Sequence, residues 1–190
     1  LTKVRAYNCT VQTRLAMRFL MLTFVRTIEL IGARWDEIDF EESIWNIPSE
    51  RMKENQSHFV PLSTQSIECL NQLHLVTGKC ELLFPKRGTS REPMSNSTIL
   101  RVIERIGYKG RMTGHGFRSV ASSILNESGL FDFDAIERQL SHQDRDDVRA
   151  AYNRAKYMNE RRRMMQWWAD KLDSLENPSQ IVYPMFQQQP

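Results

Sequence analysis

Residues 14–22 read Arg-Leu-Ala-Met-Arg-Phe-Leu-Met-Leu, and Leu15, Met17, Phe19, Leu20, Met21 and Leu22 leave no wide polar face. A helix that is apolar on most faces is a buried helix, walled in by the rest of its domain. The stretch from Arg26 to Gly32 then reads as a turn and a short helix closed by the glycine. A chain built around such a helix needs a core able to surround it. With 190 residues, 41% of them hydrophobic and 26% charged, this sequence suits one domain, or one domain plus a tail.

From Ile38 the pattern changes. Glu37–Glu41, Ser43–Ile47 and His58–Leu62 mix aromatic and β-branched residues between polar turns. They predict a small antiparallel sheet of three strands. Pro48 and Pro61 sit at strand edges, and the polar, basic loop Ser49–Ser57 joins the second strand to the third. Helical patterns resume at Ser63–Val76, with Ser63 or Thr64 as cap, and at Ser95–Ile106, whose Ser-Asn-Ser start offers further caps. Between them Lys79–Pro93 is a loop carrying Pro85, Gly88 and Pro93. Gly107, Gly110, Gly114 and Gly116 then fall within ten residues, a connection whose backbone must approach something closely. Phe117, Val120, Ala121, Ile124 and Leu125 follow at helical spacing and predict one buried stripe. Phe133–Leu140 reads as another helix, and Val148–Asp173 as a longer helical region with a bend near Tyr157. The expected fold is mainly α with a small three-stranded antiparallel β-sheet.

Charge is informative through its distribution. The net charge is only +3, yet residues 36–42 are strongly acidic while Arg101, Arg105, Lys109, Arg111 and Arg118 share one segment. That asymmetry suits a nucleic-acid face opposite a solvent face, although scattered solvated charge is the alternative. Cys9, Cys69 and Cys80 are an odd set without Cys-x-x-Cys spacing, which argues against a disulfide framework or zinc site and fits a reducing compartment. No apolar run approaches the roughly 20 residues that span a bilayer. The first residues carry no secretory signal pattern, and the opening Leu1 reads as a fragment of a longer protein. A cytoplasmic location is expected.

Several residues can carry chemistry. His115 and Arg118 stand three apart at the start of a helix, flanked by glycines, where an anion is favoured. Arginine suits a phosphate because its planar fork donates two parallel hydrogen bonds and keeps its charge. Arg26 directly follows the buried helix, so its charge needs a partner or a ligand; Glu29, one turn on, is the structural alternative. His142 closes Leu-Ser-His after an apolar helix. Tyr152 follows ten residues later in Arg-Ala-Ala-Tyr-Asn-Arg-Ala. A phenol with a pKa of about 10 is a poor nucleophile unless cations gather around the group it attacks.

Arg26, His115-Gly-Phe-Arg118, Leu140-Ser-His142 and Tyr152 together resemble the active site of the tyrosine recombinases, the phage-integrase family, over roughly Gln12–Asp173. The family prefers glycine two residues before the first arginine; Phe24 stands there in this chain. The resemblance implies a tyrosine recombinase catalytic domain over residues 14–173, with residues 1–13 as the end of an interdomain linker and 174–190 as a C-terminal tail. The family's core-binding and arm-binding domains fall outside these 190 residues. It also implies Tyr152 as nucleophile, Arg26, Arg118 and His142 as phosphate ligands, and His115 as the base toward the phenol proton. Lys53, in the strand-connecting loop, matches the family's lysine that protonates the leaving 5′ oxygen; Arg51 is its rival. The implied activity is site-specific integration or excision of a prophage or genomic island, through a 3′-phosphotyrosyl intermediate and without metal or cofactor. Implied partners are double-stranded DNA attachment sites, other copies of the chain in a tetramer, and an excisionase or host DNA-bending protein. A type IB topoisomerase and a catalytically dead DNA-binding module are the alternatives. Such a protein is expected in the bacterial cytoplasm, on the nucleoid when bound. The apolar patch Ile181–Phe186 in the tail is expected to dock on a neighbouring protomer, or else on its own domain.

Overall fold

A computed structural model describes residues 2–52, 55–141 and 147–176, with side chains from Tyr157 onward in the last stretch. Helix α2 (Val11–Thr23) is the hub, as its composition requires. Thr10 caps it by accepting from the Thr13 amide, and Ala16, Met17, Phe19 and Leu20 are wholly buried. The Phe19 ring lies 5.5 Å from Trp45 and 6.3 Å from Phe84, so one side chain joins the helix to the sheet and to the loop after residue 79. Burial of each such ring contributes roughly 1.5–3 kcal/mol. The stretch before it carries a short helix, α1 (Thr2–Ala6), whose Val4 is buried.

The sheet is antiparallel in the order β1 (Ile38–Asp39), β2 (Ile44–Ile47), β3 (His58–Pro61). Trp45 pairs with Val60 and Ile47 with His58; the two β2 residues are two apart, so both enter the core. The first strand is shorter than expected because Glu37 belongs to a preceding 3₁₀ turn. Its carboxylate accepts from the Arg34 amide and from Trp45 Nε1, 2.9 Å away, and so caps the turn instead of extending the ladder.

α3 (Thr27–Ile31) follows α2, and α4 (Thr64–Thr77) runs along α2 with Ser63 as its cap. α5 (Asn96–Ile103), capped by Ser95, widens into a π turn, Glu104–Tyr108, at whose end Gly107 adopts φ 88°. α6 spans Gly116–Ser128 and α7 Phe133–Gln139. α8 is one helix, Asp147–Glu176, running through Tyr157 where a bend was expected. Its Trp168 donates to the Met21 carbonyl at 2.8 Å and meets the Phe24 ring edge-on, which docks α8 on α2.

The buried face of α6 follows the expected stripe except at Val120, with Phe117 and Ile124 packed against the core at its edge. Ala121 and Leu125 are fully buried, but Val120 is 48% exposed. Phe117, Val120 and Ile124 also line an open apolar groove with Tyr108, Met112 and Leu172. Arg118 shares the buried side with Ala121 and Leu125.

Candidate active site

The site is built where α2, α6 and α7 end or begin. Phe24 terminates α2 in the left-handed conformation, φ 41°, ψ 33°. That is the conformation a glycine adopts at no steric cost, and here a wholly buried phenylalanine bears it. The turn delivers Arg26 to the start of α3. Its guanidinium pairs with Glu29, Nη1 to Oε1 2.8 Å, and the other Glu29 oxygen caps the Arg26 amide. Glu29 is 1% exposed, so the pair is fixed, and a second Arg26 nitrogen still reaches the Ser141 carbonyl at 3.4 Å. The structural alternative, an ion pair with Glu29, is therefore present alongside that second contact.

Gly114 brings the α6 start against α3. A Cβ at that position would stand 2.4 Å from Thr27 Cγ2, so only glycine permits the approach. Gly107 and Gly110 turn the preceding segment through positive φ. Arg118 is 2% exposed; Nη1 donates to the Phe24 carbonyl at 3.1 Å and Nη2 to the Leu140 carbonyl. Burial first, then the like charge of Arg26, lower its guanidinium to about 10, which leaves it a cation at neutral pH. Leu140 closes α7, and Ser141 turns the chain with φ 50°. Two guanidiniums thus hold consecutive carbonyls, Leu140 and Ser141, on the approach to His142.

His115 precedes α6 without a side-chain capping bond and is solvent-exposed, so it does not share the buried setting of Arg118. Lys53 and His142 lie outside the described residues. Tyr152 falls within α8, with its side chain outside the described part. The rival tyrosine, Tyr157, is buried, and its hydroxyl donates to Asp134 Oδ2 at 3.3 Å. The rival cation, Arg51, is a brace: it pairs with Glu37, donates to the Glu29 carbonyl, and lies 3.1 Å from where a Gly32 Cβ would sit. A group held this way is poorly suited to act as a mobile proton donor.

Two residues beside this cluster escaped the sequence reading. His58, the first residue of β3, is 6% exposed, and its Nε2 has no hydrogen-bond partner among the described residues. Burial, then the Arg161, Arg118 and Arg26 guanidiniums, push its imidazole well below its ordinary 6.5, opposed by a hydrogen bond to the Gln139 main chain. Arg161 sits on α8 in a run of three arginines, yet is 4% exposed. Its signal was positional, since Tyr157, Met164, Met165 and Trp168 share its helix face and are all buried.

The depressed imidazole has a measurable consequence. Below about pH 6.5 the unfolded chain binds a proton at His58 that the folded protein refuses. Stability is therefore full above that pH and falls as pH drops toward the folded value, by at most ~1.4 kcal/mol per pH unit. Thermal melts from about pH 7.5 to about pH 5 are expected to decline less steeply for His58→Gln than for the wild type. Parallel declines would remove His58 as the source.

The sheet and helices described above have known counterparts. The integrase of mycobacterium phage Brujita superposes with a TM-score of 0.64 at 16% identity, over 87% of this chain and 54% of that one. The lambda integrase catalytic core gives 0.57 at 22% identity, over 77% of this chain and 89% of the core. The fold is that of a tyrosine recombinase catalytic domain, mainly α with a three-stranded antiparallel sheet. A sequence model of the phage integrase family matches residues 3–159, and the chain belongs to that family. It is 46% identical over 192 residues to the integrase of Enterobacteria phage P4, covering 93% of this chain and 44% of that protein. It is 41% identical over 179 residues to the prophage integrase IntA of Escherichia coli K12, covering 94% of this chain and 43% of IntA. The chain thus spans a little under half the length of these relatives. Among the described residues, no helix is long and apolar enough to cross a membrane.

Proposed function

We propose that this chain is the catalytic domain of a site-specific recombinase that integrates or excises a prophage or genomic island. The observation that carries the reading is the convergence of Arg26 and Arg118 on the Leu140 and Ser141 carbonyls, directly before His142. In this reading the Tyr152 oxygen attacks a DNA phosphodiester, forming the 3′-phosphotyrosyl bond as the bond to the 5′ oxygen breaks. The phenol proton passes to His115, and the departing 5′ oxygen takes a proton from Lys53. Arg26, Arg118 and His142 stabilise the charge on the non-bridging oxygens, where one well-placed donor is worth about 10²–10³ in rate. A 5′ hydroxyl from a partner strand reverses the step, and the phosphotyrosyl bond conserves the phosphodiester energy, so neither ATP nor another cofactor is consumed.

DNA attachment sites are the substrate in this account, and a basic rim supports it. Lys3 and Arg111 flank the Tyr108 ring, 5.1 and 5.7 Å from its centre, and Arg105 donates to the Tyr7 hydroxyl at 3.0 Å. Lys109 completes the rim with Glu104 3.8 Å away. Such a cluster suits phosphate contacts that position a duplex without reading its sequence. Assembly of four subunits on DNA, help from an excisionase or a host DNA-bending protein, and a cytoplasmic location on the nucleoid belong to the same reading.

Incubation with two duplexes carrying the boundaries of the host element tests it. Exchange of strands between duplexes is the expected result; relaxation of supercoils without exchange would favour a type IB topoisomerase, and absence of any covalent adduct a non-catalytic binding module. Lys53→Ala is expected to lose cleavage on ordinary DNA and regain it when sulfur replaces the leaving 5′ oxygen, because a thiolate departs without a proton. Continued loss on the sulfur substrate would assign Lys53 a role other than proton donation.

A further inference from the structure

Arg161 is hard to justify as a packing residue. Its guanidinium is almost fully buried, and its partners among the described residues are all uncharged: Gln139 Oε1, reached by Nε at 3.0 Å and Nη2 at 2.8 Å, and the Phe59 carbonyl. Burial first, then the like charge of Arg138, push it below the usual arginine range. A buried cation without a carboxylate is costly, and an apolar side chain of similar size commonly serves stability as well or better.

What the fork does instead is join three segments. Phe59 lies on β3, six residues beyond Lys53. Gln139 ends α7, three residues before His142, and its main chain also hydrogen-bonds the His58 imidazole. Arg161 itself stands on α8, nine residues after Tyr152. A planar group donating to two elements at once fixes their mutual placement in a way a single ammonium cannot. Each segment it touches carries one of the groups assigned to cleavage.

We propose that Arg161 is a positioning residue for strand cleavage, bracing the nucleophile-bearing helix through Gln139 and the Phe59 carbonyl against the segments that carry His142 and Lys53. The inference rests on the recombinase reading. It makes Arg161 a determinant of attachment rate, separate from stability and from DNA affinity. Misplacing a reacting group by about 1 Å from a distance costs on the order of 10²-fold in rate.

The test compares wild type, Arg161→Met, Arg161→Lys and Gln139→Leu in the protein containing this chain. The probe is a nicked duplex drawn from the boundary of the host element. Single-turnover attachment at saturating DNA, DNA affinity and thermal melting are measured together. Arg161→Met is expected to lose at least about 10-fold in attachment rate, with DNA affinity within about threefold and a melting temperature unchanged or raised. Gln139→Leu should lose attachment to a similar degree but with a lowered melting temperature, because it leaves the Arg161 cation buried without its side-chain acceptor. Arg161→Lys, which keeps the charge on a single donor nitrogen, should show an intermediate loss. The deficit should persist well below the melting temperature. Attachment within about threefold of wild type in both Arg161→Met and Gln139→Leu overturns the inference. So does a deficit that tracks melting temperature and vanishes on cooling. Should Arg161→Met not fold, Arg161→Lys and Gln139→Leu decide on the same criteria. A wild-type protein that forms no adduct defeats the recombinase reading itself, whereas a normal wild type beside normal variants defeats only the role of Arg161.

Discussion

Tyr152→Phe is expected to abolish covalent attachment to DNA while leaving DNA affinity within about threefold, because the substitution removes one oxygen and no ring. The contrast with Tyr157→Phe makes the result specific. The Tyr157 hydroxyl donates to Asp134, and its ring lies 5.8 Å from the Arg138 guanidinium carbon. Losing that hydrogen bond costs on the order of 1 kcal/mol of stability and no nucleophile, so the variant should still attach. Attachment by Tyr152→Phe, with Tyr157→Phe inert, would transfer the nucleophile to position 157.

Arg118→Lys is the second large effect. The guanidinium reaches the Phe24 and Leu140 carbonyls with separate nitrogens, and its Nε is buried without a partner among the described residues. A single ammonium cannot hold two carbonyls on different elements and present a fork to a phosphate. Cleavage in a single-turnover assay is expected to fall at least about 10²-fold. The lost brace on Leu140 adds a stability cost of about 1–3 kcal/mol. A rate close to wild type would remove Arg118 from the phosphate site and leave it a purely structural residue.

Local sequence encodes only part of this geometry. Helix α2, the three antiparallel strands and the caps at Ser63 and Ser95 were legible, because periodicity and cap chemistry act within a few residues. The glycine-rich connection was legible as a place of close approach, but its partner, Thr27, was not, since that contact spans 87 positions (114 minus 27). Phe24 shows the limit from the other side. Its left-handed turn is set by burial of the ring against Trp168 and by the Arg118 bond to its carbonyl, so tertiary packing overrides a local preference for glycine. The α6 stripe holds at Ala121 and Leu125 and fails at Val120 for the same kind of reason. Apolar spacing could not reveal that Arg118 turns inward while Val120 faces an open groove. Arg161 was hidden in a run of arginines that looks solvated, and only the buried positions around it on α8 distinguish it from Arg162, which pairs at the surface with Glu42. The residue types proposed for the site come from spacing alone, whereas the contacts around Arg118 and Arg161 join positions about 100 residues apart, such as Phe59 with Arg161, separated by 102 positions.

The most direct measurement is the chemical identity of the protein–DNA bond. A nicked duplex from the boundary of the host element lets the 5′ fragment diffuse away and traps the intermediate. Protease digestion and mass spectrometry of the trapped species then locate the bond. The expected result is a single peptide bearing a 3′-phosphate ester on Tyr152, formed without added metal or nucleotide. A link to another residue, a 5′-phosphate linkage, or cleaved DNA with no attached peptide would contradict the mechanism.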